Sequence, residues 1–163
     1  MIAILPPLID SLRNELQQYG EMLALLEAQQ EDVCRRDPEA VLTSVAAVEA
    51  QGAAIQAARR SREQLQRQLA WSAGHPEGHA FDELLPLLPG DYRPLVSALI
   101  QEINELLERV RERAALNLQQ LRQALSLMER FLATLFPEAP SARLAGDSDS
   151  SRIDPPPSAA ASV

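Results

Sequence analysis

Apolar side chains recur at spacings of three and four residues along three long stretches of the chain. In the first stretch the pattern runs from Ile9 to Val33, with one polar position at Gln30. This spacing puts side chains on one face of an α-helix and is the heptad pattern of packed helices. The stripe consists of Ile9, Leu12, Leu16, Tyr19, Leu23, Leu26, Gln30 and Val33. The charged residues between these positions, Glu15 among them, are predicted to face solvent.

The segment from Arg35 to Glu39 predicts the end of one helix and the start of the next. Arginine favours a helix C-terminus, Asp37 is a favourable N-cap, and Pro38 suits the first helical turn. So short a connection turns the second helix back antiparallel to the first. The second helix is predicted to bury Val41, Val45, Val48, Gly52, Ile55, Ala58, Leu65 and Leu69. Its alanine-rich middle favours close approach of the two helices.

The last helix follows a loop and a short apolar segment. Gly74–His79 has the composition of a loop, and Phe81–Pro89 predicts one or two helical turns that fold over the end of the bundle. The helix itself is predicted from about Tyr92 to Phe136. Its stripe consists of Val96, Leu99, Ile103, Leu106, Val110, Ala114, Asn117, Leu121, Leu125, Met128, Leu132 and Leu135.

These patterns predict an all-α protein, an elongated and coiled-coil-like antiparallel bundle of three long helices. A single domain would cover residues 1–136, with helices at about 7–36, 38–72 and 92–136 and a linker with short helical turns at 73–91. Residues 137–163 are rich in Pro, Ser, Ala, Gly and Asp, which predicts a disordered tail. The composition agrees, because Ala, Leu, Glu, Gln and Arg favour helices, and only 4% of the residues are aromatic.

Charge and cysteine content narrow the functional classes. The chain has 15 basic residues, all of them arginine, against 23 acidic ones, for a net charge of −8. This balance disfavours binding to nucleic acid. No uncharged run approaches the length of about 18 residues that a membrane-spanning helix needs, and the N-terminus lacks the pattern of a secretion signal. With a single cysteine, Cys34, the chain is predicted to be a soluble cytoplasmic protein.

Candidate chemistry is sparse. His75 and His79 have helical metal-ligand spacing, but a proline and a glycine lie between them, and no further histidine or thiol completes a site. Cys34 stands beside Arg35 and Arg36, which could activate it, yet no nearby histidine would act as its base. It is interpreted as a small half-buried residue. We therefore expect no catalytic residue, no cofactor and no metal, and the chain is not expected to be an enzyme.

The last third of the long helix carries more apolar residues than one packing stripe needs. Leu116, Leu127 and Phe131 lie beside the stripe, and this helix is predicted to outrun the first by about 16 residues. A partner could cover the surplus. Alternatively, the Phe81–Leu88 segment could fold over it, or two copies of the chain could cover one another as a homodimeric coiled-coil adaptor. The candidate partner-binding residues are Leu118, Leu121, Leu125, Met128, Phe131, Leu132, Leu135 and Phe136.

The order of motifs over residues 8–136 resembles the FlgN family of flagellar export chaperones. A leucine-rich helix ends in the Arg-Arg-Asp-Pro break at 35–38, and an Ala/Glu/Gln/Arg-rich helix follows. After a linker, Leu-Pro-Gly-Asp-Tyr-Arg-Pro-Leu at 88–95 leads into Ile-Asn-Glu-Leu-Leu at 103–107. The long helix continues through Asn-Leu-Gln-Gln-Leu-Arg-Gln-Ala-Leu at 117–125, which is similar to the Asn-x-x-Leu-Leu signature of the family.

This resemblance implies a cytoplasmic chaperone for type III export in the flagellum. Its clients would be amphipathic helical segments of hook-associated proteins, which form the hook-filament junction, seated against the apolar arc from Leu118 to Phe136. The resemblance also implies docking on the flagellar export gate, in part through an aromatic residue near the C-terminal region. Phe131 and Phe136 are the aromatic residues that this chain offers there.

Overall fold

The computed structural model describes residues 2–75 and 80–137, which contain helices and no strand. A 3-10 turn at Ile2–Ile4 leads into three long α-helices and one short one. They are α1 (Leu5–Arg35), α2 (Pro38–Ser72), α3 (Phe81–Leu84) and α4 (Arg93–Leu135), and a second 3-10 turn at Leu85–Leu87 follows α3. The all-α prediction is confirmed for this part of the chain. The predicted disordered tail lies outside the described residues from position 138 onward.

The break between α1 and α2 forms as the sequence predicts. Arg36 caps α1 in the left-handed conformation, with φ at 58°, and its backbone N–H donates to Asp32 O and Val33 O. One side-chain oxygen of Asp37 then accepts from the N–H groups of Glu39 and Ala40, each at 3.1 Å. The aspartate thereby satisfies two donors that have no partner within the helix.

Helices α1 and α2 are antiparallel and come closer together than either comes to α4. Gln51 Nε2 donates to Gln18 O at 2.9 Å, and Arg62 Nε donates to Glu15 Oε2 at 2.5 Å. Of the predicted seam of α1, Ile9, Leu12, Tyr19, Leu23 and Leu26 are buried, while Leu16, Gln30 and Val33 are half-buried. On α2, Ile55, Ala58 and Leu69 are buried, whereas Val45 is exposed, contrary to its predicted inward position.

The predicted solvent exposure of Glu15 is wrong. This carboxylate is 2% exposed and pairs with Arg62, which also donates to Gln66 and lies over the ring of Phe81. A buried charge is tolerated where an opposite charge and hydrogen bonds compensate it. The arginine is 47 residues away in sequence, so the local pattern of α1 could not indicate the pair. Burial, followed by the charge of Glu15, raises the pKa of Tyr19 above its usual value.

The apolar linker segment packs into the main core, as the sequence predicts. Leu84 and Leu88 are buried in the same cluster as Leu5 and Leu8 at the start of α1. The guanidinium of Arg93 donates to the carbonyl groups of Leu88 and Pro86, which ties the segment to the first turn of α4. Because the segment is buried there, the alternative that it covers the far end of α4 is wrong.

Helix α4 packs on α1 over its first half. Val96, Leu99, Ile103 and Val110 are buried in the core cluster that includes the apolar face of α1. Chain contacts divide the molecule into two compact units, with the boundary inside α4 between Ser126 and Leu127. The helix has 43 residues against 31 for α1, so it is longer by fewer than the 16 residues expected.

The predicted half-burial of Cys34 is wrong. Cys34, interpreted as half-buried, is exposed. His75 is also exposed, and His79 lies outside the described residues. The prediction of a single domain over residues 1–136 stays a prediction.

Candidate protein-binding surface

Helix α4 has a buried half and an exposed half on one continuous apolar stripe. From Val96 to Asn117, the stripe residues Val96, Leu99, Ile103, Val110 and Asn117 are each at most 9% exposed. Leu106 is half-buried, and Ala114 is exposed, contrary to its predicted place on the packed stripe. Beyond Asn117, Leu121 is half-buried and Leu125 is 61% exposed. Within the first unit, Leu116 and Leu118 are also about half exposed.

The second unit continues the exposed apolar series on the same helix. Among residues 127–137, which are the part of this unit that the structure describes, each large apolar residue is between 49% and 65% exposed. These residues are Leu127, Met128, Phe131, Leu132, Leu135 and Phe136. Met128, Leu132 and Leu135 keep the spacing of the stripe, whereas Leu127 and Phe131 widen it. We call the exposed apolar residues of positions 116–136 the α4 apolar face.

A buried polar contact marks the point where the packed half of α4 ends. Asn117, 1% exposed, donates through Nδ2 to Leu26 O at 2.7 Å and to Gln29 Oε1 at 3.1 Å on α1. One turn earlier, Arg113 donates to Gln30. Asn117 Oδ1 is buried and accepts no hydrogen bond from residues 2–75 or 80–137. A polar side chain on a helix seam fixes which residues face each other, at a cost in stability.

The α4 apolar face begins where α1 has little helix left to cover it. Asn117 contacts Leu26 and Gln29, and α1 ends soon afterwards at Arg35. The contacts advance in the same direction along the two sequences, from the cavity that Leu12 and Ile103 line together to Asn117 with Leu26, so α1 and α4 run side by side within the first unit up to this region. The exposure of Leu125, the last stripe residue of the first unit, is therefore a consequence of the early end of α1.

All eight residues predicted to bind a partner lie on α4 or directly after its last residue. Seven of them are exposed, and Leu121 is half-buried. The structure adds Leu116 and Leu127, which are exposed by 49% and 65% and were left out of the predicted set. Their position outside the main stripe indicated this exposure in the sequence, since an apolar residue that is not on the packed face of a helix does not reach the core.

The α4 apolar face offers apolar contact area. Its side chains are leucine, methionine and phenylalanine, which offer apolar area and, for methionine, an adaptable shape. The described residues hold no group of three or more His, Cys, Asp and Glu side chains placed to share a metal ion. In the same residues, no helix is sufficiently long and apolar to cross a membrane.

A helical protein with a large unpaired apolar helix face belongs, as a class, with proteins that bind other proteins. A family model described as FlgN protein matches residues 1–143. The match covers most of the chain, so the protein belongs to the FlgN family. FlgN is a chaperone family, and membership implies a general role in flagellar export. No curated protein and no solved structure matches the chain.

Proposed function

We propose that this protein is a cytoplasmic chaperone of flagellar type III export that shields amphipathic helical segments of hook-associated proteins and delivers them to the export gate. Family membership supports the export role in general. The exposure of the α4 apolar face is the observation that carries the client-binding role. Leu125, Met128, Phe131 and Leu132 are each exposed by about half or more, in a helix whose earlier stripe residues are buried.

Client binding follows from burial of this face. An amphipathic helix presents its own apolar side chains every three or four residues and would lie against the stripe. Full burial of one large apolar side chain contributes about 1.5–3 kcal/mol. The gross gain from several such side chains exceeds the cost of association, so a stable and reversible complex is expected without any covalent step.

Delivery to the export gate is the second part of the proposal. A client on the α4 apolar face is shielded from aggregation until it is passed on, because its own apolar face is covered. Phe131 and Phe136 are the aromatic residues available near the C-terminal end of α4, and each is exposed. We assign gate docking to one of these two phenylalanines, in keeping with the aromatic docking residue that the resemblance implies.

A double substitution tests the client site. Leu125→Asp with Leu132→Asp puts two charges on the stripe, one heptad apart, at exposed positions where they should leave the fold intact. We expect co-purification with hook-associated proteins to be lost while helicity by circular dichroism is kept. The matched control is Gln119→Asp with Ser126→Asp, which adds the same charge at the same spacing on the polar side of the helix. Client binding that survives the leucine double change would contradict the assignment.

The alternative is a homodimeric coiled-coil adaptor in which two copies cover each other's α4 apolar face. The heptad spacing of the exposed stripe favours this as the second candidate, since such a stripe can pair with itself. Sedimentation of the purified protein separates the two. A monomer that forms a complex with a hook-associated protein supports the chaperone, and a tight dimer that binds no client supports the adaptor.

A further inference from the structure

A second surface feature lies away from α4, between the 3-10 turn at Ile2–Ile4 and the last turns of α2. It is a groove open to solvent, with a volume of about 490 Å³. Its lining residues are Ile4, Gln64, Arg67, Gln68, Trp71 and Ser72. All of them belong to the first compact unit, and none lies on α4. The groove therefore shares no residue with the proposed client site.

The most prominent residue of the groove is Trp71, the only tryptophan in the chain. It is 76% exposed, whereas the two residues before it, Leu69 and Ala70, are buried. Ile2, in the turn that forms the other wall, is 66% exposed. Tryptophan and arginine are the residue types that most often dominate the energy of protein interfaces, so an exposed tryptophan one turn from Arg67 has the composition of an interface centre.

Arg67 gives the lining of the groove a positive charge, whereas the chain as a whole is acidic. The sequence has no Asp or Glu from Ile2 to Ile9 or from Gln64 to Ser72, although the chain carries a net charge of −8. Arg67 is exposed and forms no ion pair within residues 2–75 and 80–137. Its neighbours on α2, Arg59 and Arg62, are each paired with Glu63 or Glu15. An uncompensated cation beside an apolar wall is complementary to a carboxylate beside an apolar side chain.

We infer that this groove binds a segment of a second protein in which a large apolar side chain stands beside an Asp or Glu. The apolar side chain packs on Trp71 and Ile4, the carboxylate pairs with Arg67, and the amides of Gln64 and Gln68 hydrogen-bond to the backbone of the segment. A membrane surface fits the site less well, because anionic headgroups repel a chain of this net charge. The chaperone then has two separate protein-binding surfaces, one for its client and one for this partner.

Site-specific photo-crosslinking identifies the partner. A photoreactive amino acid replaces Gln68 in the full-length chain, which leaves Trp71 and Arg67 in place, and the adduct formed in cells is identified by mass spectrometry. We expect an adduct within a partner segment that contains a carboxylate next to a large apolar residue. The inference is overturned if adducts form only with hook-associated clients or with a second copy of this chain, or if no adduct forms. It is also overturned if the protein co-sediments with phosphatidylglycerol vesicles and Trp71→Ala abolishes that co-sedimentation.

Titration of the purified partner into the full-length chain tests the assigned contacts. Trp71→Ala is expected to weaken binding by about 30-fold, and Arg67→Glu by about tenfold or more. Reversing the crosslinked carboxylate to lysine in the partner is expected to restore binding to Arg67→Glu. Matched controls are Leu42→Ala, another exposed apolar residue of α2, and Arg109→Glu on α4, neither of which should weaken binding. Wild-type affinity of Trp71→Ala, or failure of the charge swap to restore binding, overturns the inference.

Discussion

The two halves of α4 carry the same kind of apolar stripe in different surroundings. In the half that begins at Arg93, stripe residues such as Val96 and Leu99 are buried against α1 and the linker segment. In the half after Asn117, Leu125 and its successors have the same spacing and remain exposed. The periodicity of a helix thus determines which face is apolar, whereas the length of its neighbours determines whether that face is covered.

Under the proposed function, the buried half of α4 serves the stability of the fold and the exposed half serves client binding. The buried half contributes to the free energy of unfolding, because its side chains leave water when the chain folds. The exposed half contributes little to folding and keeps its apolar area available for a partner. Substitutions of the same type are therefore expected to have different consequences on the two sides of Asn117.

The largest difference is expected when one leucine is truncated in each half. Leu99→Ala removes a buried side chain and should lower the free energy of unfolding by about 2–5 kcal/mol. Leu125→Ala, at an exposed position, should change it by no more than about 0.5 kcal/mol. Urea denaturation of both variants measures the contrast. Equal losses in the two variants would mean that the second half of α4 is packed as well as the first.

The boundary between the halves is tested at Asn117. Asn117→Ala removes the two hydrogen bonds to Leu26 and Gln29 and should cost about 1–2 kcal/mol of unfolding free energy. Gln119→Ala, at an exposed position two residues further on, serves as the control and should cost little. Thermal denaturation measures the difference in stability between Asn117→Ala and Gln119→Ala. Two variants of equal stability would indicate that α4 is not held against α1 at this point.

A third change tests how tightly the α1–α2 pair is packed in the buried part. A Cβ built on Gly52 would meet no atom within 4 Å, so the small side chain is not required there for close helix approach. Gly52→Ala should therefore raise the free energy of unfolding by about 0.5–1 kcal/mol through helix propensity. Gly20→Ala on α1, where the space is also open, should behave alike. A lower free energy of unfolding for Gly52→Ala would show that α1 and α2 leave no room for a methyl group at this position.

The smallest effect is expected from alkaline titration of the buried part. Because burial raises the pKa of Tyr19, the folded protein holds the phenol neutral at pH values where the unfolded chain ionises it. Its contribution to stability is complete below the unfolded value of 10.0 and is lost as the pH rises towards the higher folded value. The chain has no lysine that would titrate in the same range. Above pH 10, the free energy of unfolding of Tyr19→Phe, measured by urea denaturation, should fall less steeply with pH than that of the wild type. If the two free energies fell in parallel, the burial of Tyr19 would be contradicted.

Much of the fold could be predicted because its determinants are local. The break at Arg36 and Asp37 depends on capping groups a few residues apart, and the seam of α1 depends on spacing within one helix. Glu15 shows the limit of such reasoning. By its position it resembles a solvent-facing charge, and only the arrival of Arg62 from another helix makes its burial possible.

The candidate site shows the same limit. The sequence indicated which apolar residues of α4 exceed the needs of one packing stripe. It left open whether a partner, the linker segment or a second copy of the chain covers them. The burial of Leu84 and Leu88 beside Leu5 removed the linker from these explanations, since this packing depends on contacts between distant parts of the chain. The exposure of Trp71 agrees with its place outside the predicted inward positions of α2, the last of which is Leu69.

Hydrogen exchange along α4 tests the central claim most directly. Backbone amides of residues 96–110 should exchange slowly in the free protein and in its complex with a purified hook-associated protein. Amides of residues 118–135 should exchange faster in the free protein and become protected when the client is added. Equal protection of both halves in the free protein, or no gain of protection in the second half on addition of the client, would contradict the claim that the α4 apolar face is the client-binding surface.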